Sequence, residues 1–197
     1  FNAASANVGG LGNVSVGFEA GLSNTLHFTT YVGAYAGKLN SNQINTGLGY
    51  HAMSGGTSGK YTTALGSYAL QQVGLGVTSY QNVAVGHNAG YSPAALGLTY
   101  ATKLGSYQTW VGAGTGQSVV SADPADYAVG VGHHATAALY GTALGAYTSV
   151  TGAGGTAIGV SSTGVVSSVG HADSVAIHGV SSAANQIMLG TSAHDVV

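Results

Sequence analysis

Polar and apolar residues recur in the same short pattern along the whole chain. The stretch N-V-A-V-G-H-N-A-G, Asn82–Gly90, shows it: Val83 and Val85 alternate with Ala84, and Gly86 follows. Alternation with a period of two predicts a β-strand, which the glycine ends. Eleven copies of this order predict a repeat architecture. The residues at the glycine position are Gly17, Gly33, Gly49, Gly66, Gly86, Gly112, Gly132, Gly145, Gly159, His178 and Gly190.

One face of each predicted strand consists of β-branched and aliphatic side chains. The residue three before the glycine is always β-branched, and the residue directly before the glycine is always aliphatic. Both positions point to the same side of a strand, so we expect them to stack as the buried core. The predicted core includes Val14, Val16, Val32, Leu48, Leu65, Val83, Val85, Val111, Val131, Leu144, Ile158, Ile177 and Leu189.

The opposite face of each strand is formed by the position between these two, which is mostly small and uncharged. Ala64, Ala84 and Gly130 are typical, whereas Tyr31 and Trp110 are large. A strand with one solvated face would carry charged or long polar residues there. We therefore expect a neighbouring chain to cover this face, and we interpret Tyr31 and Trp110 as residues that pack between chains.

The composition agrees with association between identical chains. Charged residues make up 4% of the sequence, against about a quarter in an ordinary soluble domain. The 3 basic residues are all lysine, and the net charge is −2, which argues against nucleic acid as a partner. No apolar run approaches the roughly 20 residues of a membrane span, so membrane insertion is not expected.

The repeats define one elongated all-β domain. Residues 1–12 form a Gly-, Ala- and Asn-rich entry segment, residues 13–193 hold the eleven copies, and residues 194–197 begin a following segment or end the chain. No helix pattern with caps is visible. The chain opens on Phe1 without a leader, so we expect a piece of a longer protein.

The repeats resemble those of bacteriophage tail fibres and of trimeric autotransporter adhesin heads. N-T-G-L-G-Y-H-A-M from Asn45 and T-T-A-L-G-S-Y-A-L from Thr62 are similar to the tail-fibre repeat, and D-S-V-A-I from Asp173 is similar to the adhesin-head repeat. N-Q-I-M-L-G-T-S-A from Asn185 resembles the strand that often ends the repeat region of phage fibres. The resemblance covers most of the chain, roughly Asn13–Ala193.

This resemblance implies a repetitive parallel β-roll or β-solenoid in an intertwined or side-by-side homotrimeric fibre. It implies an extracellular location, on a virion tail fibre or a bacterial cell surface, and attachment to a host glycan or protein receptor. His178 departs from the repeat, and we expect Gly179 to take over the turn in that copy.

Few residues of the chain suggest catalysis or metal binding. Asp123 and Asp126 are the one close acidic pair, which a polysaccharide-cleaving tail spike would use. Because they flank Pro124, we interpret them instead as residues of a solvated turn. His87, His133 and His171 each follow a glycine, and in a trimer such a position would bring three imidazoles together. Without H-x-H pairs or nearby carboxylates they are interpreted as polar turn residues. We predict no catalytic residues, no cofactor and no metal.

The aromatic residues are the better candidates for binding. Tyr91, Tyr100, Tyr107 and Tyr127 lie in or beside the longest intervals between copies, Tyr91–Tyr107 and Gln117–Tyr127. Tyrosine offers rigid contact area with a polar tip, which suits sugars or a protein receptor, although packing between chains is the more common reason for aromatics on such a surface. The predicted function is a structural and attachment fibre. The alternatives are a depolymerase, a pure spacer, and a flat ice-type binder whose threonines would have to face outward.

Overall fold

The computed structural model describes residues 2–5, 9–25, 27–40, 42–55, 59–71, 80–91, 105–116, 126–159, 168–181 and 183–190. These residues form fifteen short strands and no helix. The strands are β1 (Val14–Val16), β2 (Thr30–Val32), β3 (Thr46–Leu48), β4 (Thr63–Leu65), β5 (Val83–Val85), β6 (Thr109–Val111), β7 (Val129–Val131), β8 (Thr136–Ala137), β9 (Thr142–Leu144), β10 (Ser149–Val150), β11 (Thr156–Ile158), β12 (Ser168–Val169), β13 (Val175–Ile177), β14 (Val180–Ser181) and β15 (Ile187–Leu189).

The eleven predicted strands form one parallel sheet, as the repeat pattern indicates. Its order is β1-β2-β3-β4-β5-β6-β7-β9-β11-β13-β15, so each copy pairs with the next copy along the chain. The register is that of the repeat: Ala84 of β5 lies opposite Trp110 of β6, and Trp110 lies opposite Gly130 of β7. The chain is therefore a parallel β-solenoid in which each rung is one repeat.

A second, four-stranded parallel sheet forms in the C-terminal half, which the sequence pattern did not predict. Its order is β14-β12-β10-β8, and it occupies the part of each coil between the strands of the first sheet. Ala137, Val150 and Val169 point into the coil and are buried. Two-residue strands are too short to show a period, which is why the pattern along the chain does not reveal them.

The two faces of the long sheet are the reverse of the predicted assignment. The small middle position, not the aliphatic pair, lines the interior of the coil. It packs in one core with alanines that follow the repeat glycine by three residues, such as Ala36, Ala52 and Ala89. The fully buried residues at the middle position are Tyr31, Ala64, Ala84, Trp110, Ala143, Ala157 and Ala176.

The aliphatic residues predicted as the core point outward, and within the single chain that prediction is wrong. Val16 is 56% exposed and Leu65 is 46% exposed. At most rungs the interior of the coil is only wide enough for alanine at the middle position, so the aliphatic side chains of the same strands lie outside. The outward-facing or half-buried residues are Val14, Val16, Val32, Leu48, Leu65, Val83, Val85, Val111, Val131, Leu144, Ile158, Ile177 and Leu189.

Tyr31 and Trp110 are interior residues of their own coil, which corrects their interpretation as inter-chain residues. Both are fully buried, and each lies opposite a glycine in the next strand, Gly47 for Tyr31 and Gly130 for Trp110. A Cβ at Gly130 would lie 2.5 Å from Trp110 Cε3. A large side chain therefore fits inside the coil where the neighbouring rung has a glycine in place of alanine.

The repeat glycine is required because successive coils touch at this point. Gly86 has a φ of +133°, and a Cβ there would lie 2.6 Å from the carbonyl oxygen of Gly112. Any side chain would collide with backbone of the next rung. In the copy where His178 replaces glycine, His178 takes a φ of +54° and a Cβ at Gly179 would lie 2.4 Å from the Gly190 oxygen. In this copy the close contact with the next coil lies at Gly179, one residue later than at the repeat glycine of the other copies.

A column of buried polar side chains links rungs in the N-terminal half. Asn45 Oδ1 accepts a hydrogen bond from the Thr62 N–H at 3.0 Å, and Asn82 Oδ1 accepts one from the Gln108 N–H at 2.9 Å. Asn13 does the same for Thr29. These bonds satisfy main-chain donors inside the coil that would otherwise be unpaired.

Candidate binding surfaces

Three surfaces run along the solenoid: the outer face of the long sheet and two rows of side chains beside it. The outer face consists of the residues three before and one before each repeat glycine. The upstream row consists of the residues five before that glycine, and the downstream row of the residues one and two after it. Each surface repeats at the rung spacing of about 4.8 Å because the copies are stacked in register.

The outer face is uncharged over all eleven rungs. Its side chains are Val, Ile, Leu and Thr throughout. Val16 and Ile187 are more than half exposed, and Ile177 is 40% exposed. Scattered apolar side chains are normal on a protein surface, but a continuous apolar stripe of this length marks an interaction surface.

The downstream row is a run of aromatic side chains in contact with each other. The His51 ring lies between two tyrosine rings, 4.6 Å from Tyr35 and 5.4 Å from Tyr68 between centroids, and stacks on both. Tyr50 meets Tyr35, His51 and Tyr68 edge-on. The run starts at Phe18, which contacts Tyr35 edge-on at 5.3 Å.

An ion pair covers the N-terminal end of this stack. Lys38 Nζ lies 2.6 Å from Glu19 Oε2 and 4.9 Å from the centroid of the Tyr35 ring, which places a cation over the ring face. Desolvation by burial, and secondarily the charge of Lys38, lowers the pKa of His51. The neutral imidazole is also held by Ser54 Oγ, 2.9 Å from His51 Nδ1. Desolvation, followed by the hydrogen bond with Tyr50, raises the pKa of Tyr68.

The upstream row stands at a left-handed corner of the backbone. All eleven residues of this row have φ between +51° and +70°, and eight of them are not glycine or asparagine. A left-handed conformation costs a non-glycine residue about 1–2 kcal/mol, so each of these non-glycine residues lowers the stability of the fold. The residues are Gly12, Phe28, Ile44, Tyr61, Gln81, Tyr107, Tyr127, Tyr140, Gly154, Asp173 and Asn185.

Three consecutive tyrosines of the upstream row form an exposed stack. The ring centroids of Tyr107 and Tyr127 are 4.7 Å apart with planes 3° from parallel, and those of Tyr127 and Tyr140 are 5.2 Å apart with planes 11° from parallel. All three side chains are about half exposed. We call Tyr107, Tyr127 and Tyr140 the tyrosine stack.

The structure brings together only part of the predicted receptor-binding set. Tyr107 and Tyr127 are neighbours in the tyrosine stack, whereas Tyr91 lies outside it and contacts the downstream row at Tyr68, with ring centroids 6.5 Å apart. Tyr100 lies outside the described residues. Tyr140 was missed by the sequence reasoning, although its place five residues before Gly145, the same as that of Tyr107 before Gly112, was a signal that could have found it.

The histidines considered for a metal do not form a ligand cluster within the described part of the chain. His87 Nδ1 lies 3.4 Å from the Ser67 carbonyl oxygen, and the His133 ring lies edge-on to His134 at 4.2 Å. His171 is exposed. No group of three or more His, Cys, Asp or Glu side chains able to hold a metal ion occurs among the described residues.

Of the acidic pair, only Asp126 is described. Its Oδ1 accepts a hydrogen bond from the Ser106 N–H at 2.6 Å, so this carboxylate joins two successive rungs. Its main-chain carbonyl accepts the Tyr140 N–H at 2.9 Å. Asp123 lies outside the described residues.

Comparison with known proteins finds no match: no protein-family description, no curated protein and no solved structure is significantly similar to this chain. Within the described ranges, no helix is long and apolar enough to cross a membrane.

Proposed function

We propose that this chain is a segment of a homotrimeric extracellular fibre, part of a phage tail fibre or a bacterial surface adhesin, that attaches to a host-cell receptor. The observation that carries the proposal is the outer face. It is an uncharged stripe of aliphatic and threonine side chains along an eleven-stranded sheet, and a single chain leaves it in contact with water.

The partner that fits this stripe best is another copy of the same chain. Burial of apolar surface is worth about 25 cal/mol per Å², and the stripe extends over eleven rungs, roughly 50 Å at about 4.8 Å per rung. A partner with the same rung spacing matches it along its whole length. The scarcity of charge, 8 charged residues in 197, also suits a chain whose surface is largely covered by other copies of the same chain.

A closed ring of three copies buries the stripe in the middle of the assembly. In a cyclic trimer each copy makes the same contact with the next copy, so the stripes of all three copies are covered. The number three rests on the resemblance of the repeats to tail-fibre and adhesin-head repeats. In such a fibre the remaining surfaces occur three times, so weak contacts with a host glycan or protein receptor add through avidity.

The test of assembly is a mass measurement by light scattering on the purified chain. We expect about three times the chain mass of 19.2 kDa. The double variant Leu65→Asp with Val85→Asp places six carboxylates in the centre of a trimer and should give folded monomers, because unpaired buried charge is costly. A folded wild-type monomer at micromolar concentration would contradict the proposal.

A second candidate function is binding to ice, which one observation favours. The threonine column of the repeats faces outward rather than into the core, as that function requires. A flat, uncharged array of hydroxyl and methyl groups at a fixed spacing is the kind of surface that can order water. Thermal hysteresis in a solution of the chain would support this candidate, and its absence would leave the fibre as the sole proposal. The outward threonines are Thr30, Thr46, Thr63, Thr109, Thr142 and Thr156.

A further inference from the structure

Where its rings stack on each other, the tyrosine stack presents their edges and hydroxyl groups rather than their faces. A sugar ring between two aromatic faces needs about 3.5–4 Å on each side, whereas the centroids of Tyr107 and Tyr127 are only 4.7 Å apart. Each ring therefore occupies the place where a sugar would stack on its neighbour. A ligand that contacts all three rings must therefore lie outside them, along the row.

The backbone fixes the stack at one tyrosine per rung. The N–H groups of Tyr107, Tyr127 and Tyr140 donate to carbonyls of the preceding rung at 2.8–2.9 Å. Each residue has φ between +56° and +62°, so the three side chains leave the backbone in the same direction. The phenol hydroxyls form a row whose period is set by the solenoid.

A ligand that bonds to every hydroxyl must repeat at the same period. An extended β-1,4-linked chain of hexopyranoses comes close to this, because each sugar unit advances by roughly the length of one rung. Successive units are turned over, so the phenols would meet the two hydroxyl-bearing edges of the sugar in alternation. An α-1,4-linked chain curves away from a straight row. Apolar sugar C–H groups can rest against the ring edges while the hydroxyls exchange hydrogen bonds with the phenols.

The charge of the surroundings favours a neutral glycan. The three side chains of the stack are uncharged, and the charged residue beside them in the sequence is Asp126. A carboxylate next to the row repels an anionic polysaccharide. We propose that the tyrosine stack binds a neutral, extended β-1,4-linked glycan lying parallel to the solenoid axis. This inference rests on the proposed attachment function and names the ligand class for it.

The test compares two straight oligosaccharides, cellohexaose and chitohexaose, with the curved maltohexaose by calorimetric titration of the wild-type chain. The variant Tyr107→Phe/Tyr127→Phe/Tyr140→Phe keeps three stackable rings and removes only the hydroxyls. The matched control is Tyr50→Phe, a tyrosine of similar exposure in the downstream row. We expect a straight glycan to bind, the triple variant to bind it at least about tenfold more weakly, and the control to bind as the wild type does.

Three results would overturn the inference: no binding of either straight glycan to the wild type, equal affinity in the triple variant, or a preference for maltohexaose. Protection of the three hydroxyls from acetylation in the free assembly would also overturn it, because the row would then be a seam between copies. Light scattering on the same samples separates the two proposals. A trimer without glycan binding refutes only the glycan site, and a glycan-binding monomer refutes only the trimer.

Discussion

Trp110 fills the space that Gly130 leaves in the next rung. The two residues are paired across β6 and β7, and a Cβ on Gly130 would lie 2.5 Å from the Trp110 ring. Tyr31 and Gly47 repeat the arrangement in β2 and β3 with more room, since a Cβ on Gly47 would lie 3.1 Å from Tyr31 Cδ1. At these two places the interior of the coil, which elsewhere is lined mainly by alanine, packs one large side chain against a position that has none.

The Trp110–Gly130 pair predicts strong energetic coupling. Gly130→Ala should lower the free energy of unfolding by about 1–3 kcal/mol through overpacking, and Trp110→Ala by about 3–5 kcal/mol through a cavity. The double variant should lose less than the sum, because the new methyl group occupies part of the cavity. Thermal or denaturant unfolding of all four proteins measures this. Additive losses would show that the two side chains do not share the space.

The reversed faces of the sheet predict opposite phenotypes for neighbouring residues. Ala84→Asp places an unpaired carboxylate inside the coil and should abolish folding, at a cost of several kcal/mol. Val85→Asp places the same group on the outer face and should leave a folded coil that no longer assembles. Circular dichroism reports the fold, and light scattering reports assembly. Loss of the fold in both variants, or in neither, would contradict the face assignment.

The contact between successive coils predicts that Gly86 tolerates no side chain. Gly86→Ala should destabilise the solenoid by several kcal/mol, because its Cβ would lie 2.6 Å from the Gly112 oxygen and its φ of +133° is unfavourable for alanine. Gly170→Ala is the matched control, since its Cβ would meet nothing closer than Thr151 Oγ1 at 3.9 Å. Melting temperatures of the two variants should differ clearly, and similar values would refute the steric explanation.

The stacked imidazole predicts a stability that falls in acid. The pKa of His51 in the folded chain is lowered from its ordinary 6.5, so the unfolded chain binds the proton more readily. The contribution of neutral His51 is complete above pH 6.5 and is lost as pH falls through the lowered pKa. Titration by NMR should give a pKa below the ordinary value, and Lys38→Gln should raise it part of the way. A His51 pKa at or above the ordinary value would contradict this.

His51→Gln serves as the stability control for that titration. It removes the titrating group while keeping a polar side chain of similar length near Ser54. Its melting temperature should depend less on pH below neutrality than that of the wild type. An unchanged pH dependence would assign the acid sensitivity to other groups.

The sequence by itself determined the repeat, the eleven strands of the long sheet and their register. The period-two alternation around residues such as Val83, Ala84 and Val85 marks a strand, and identical copies stack in register because each buries the same surface against the next. The position of glycine in ten of eleven copies was also readable as the end of each strand, while its close contact with the backbone of the next rung came from the structure.

Only the tertiary structure decided which face of the strand is inside. Alternation along a strand shows that its two faces differ but not which face is inside. The larger aliphatic side chains suggested that their face is the core. In the structure the coil closes at the width of Ala84 and Ala89, and Val85 lies outside. The tyrosine stack was hidden for a related reason. Tyr107, Tyr127 and Tyr140 are 20 and 13 residues apart in the chain, and they meet because each turn of the coil, whatever its length, returns the backbone to the same corner.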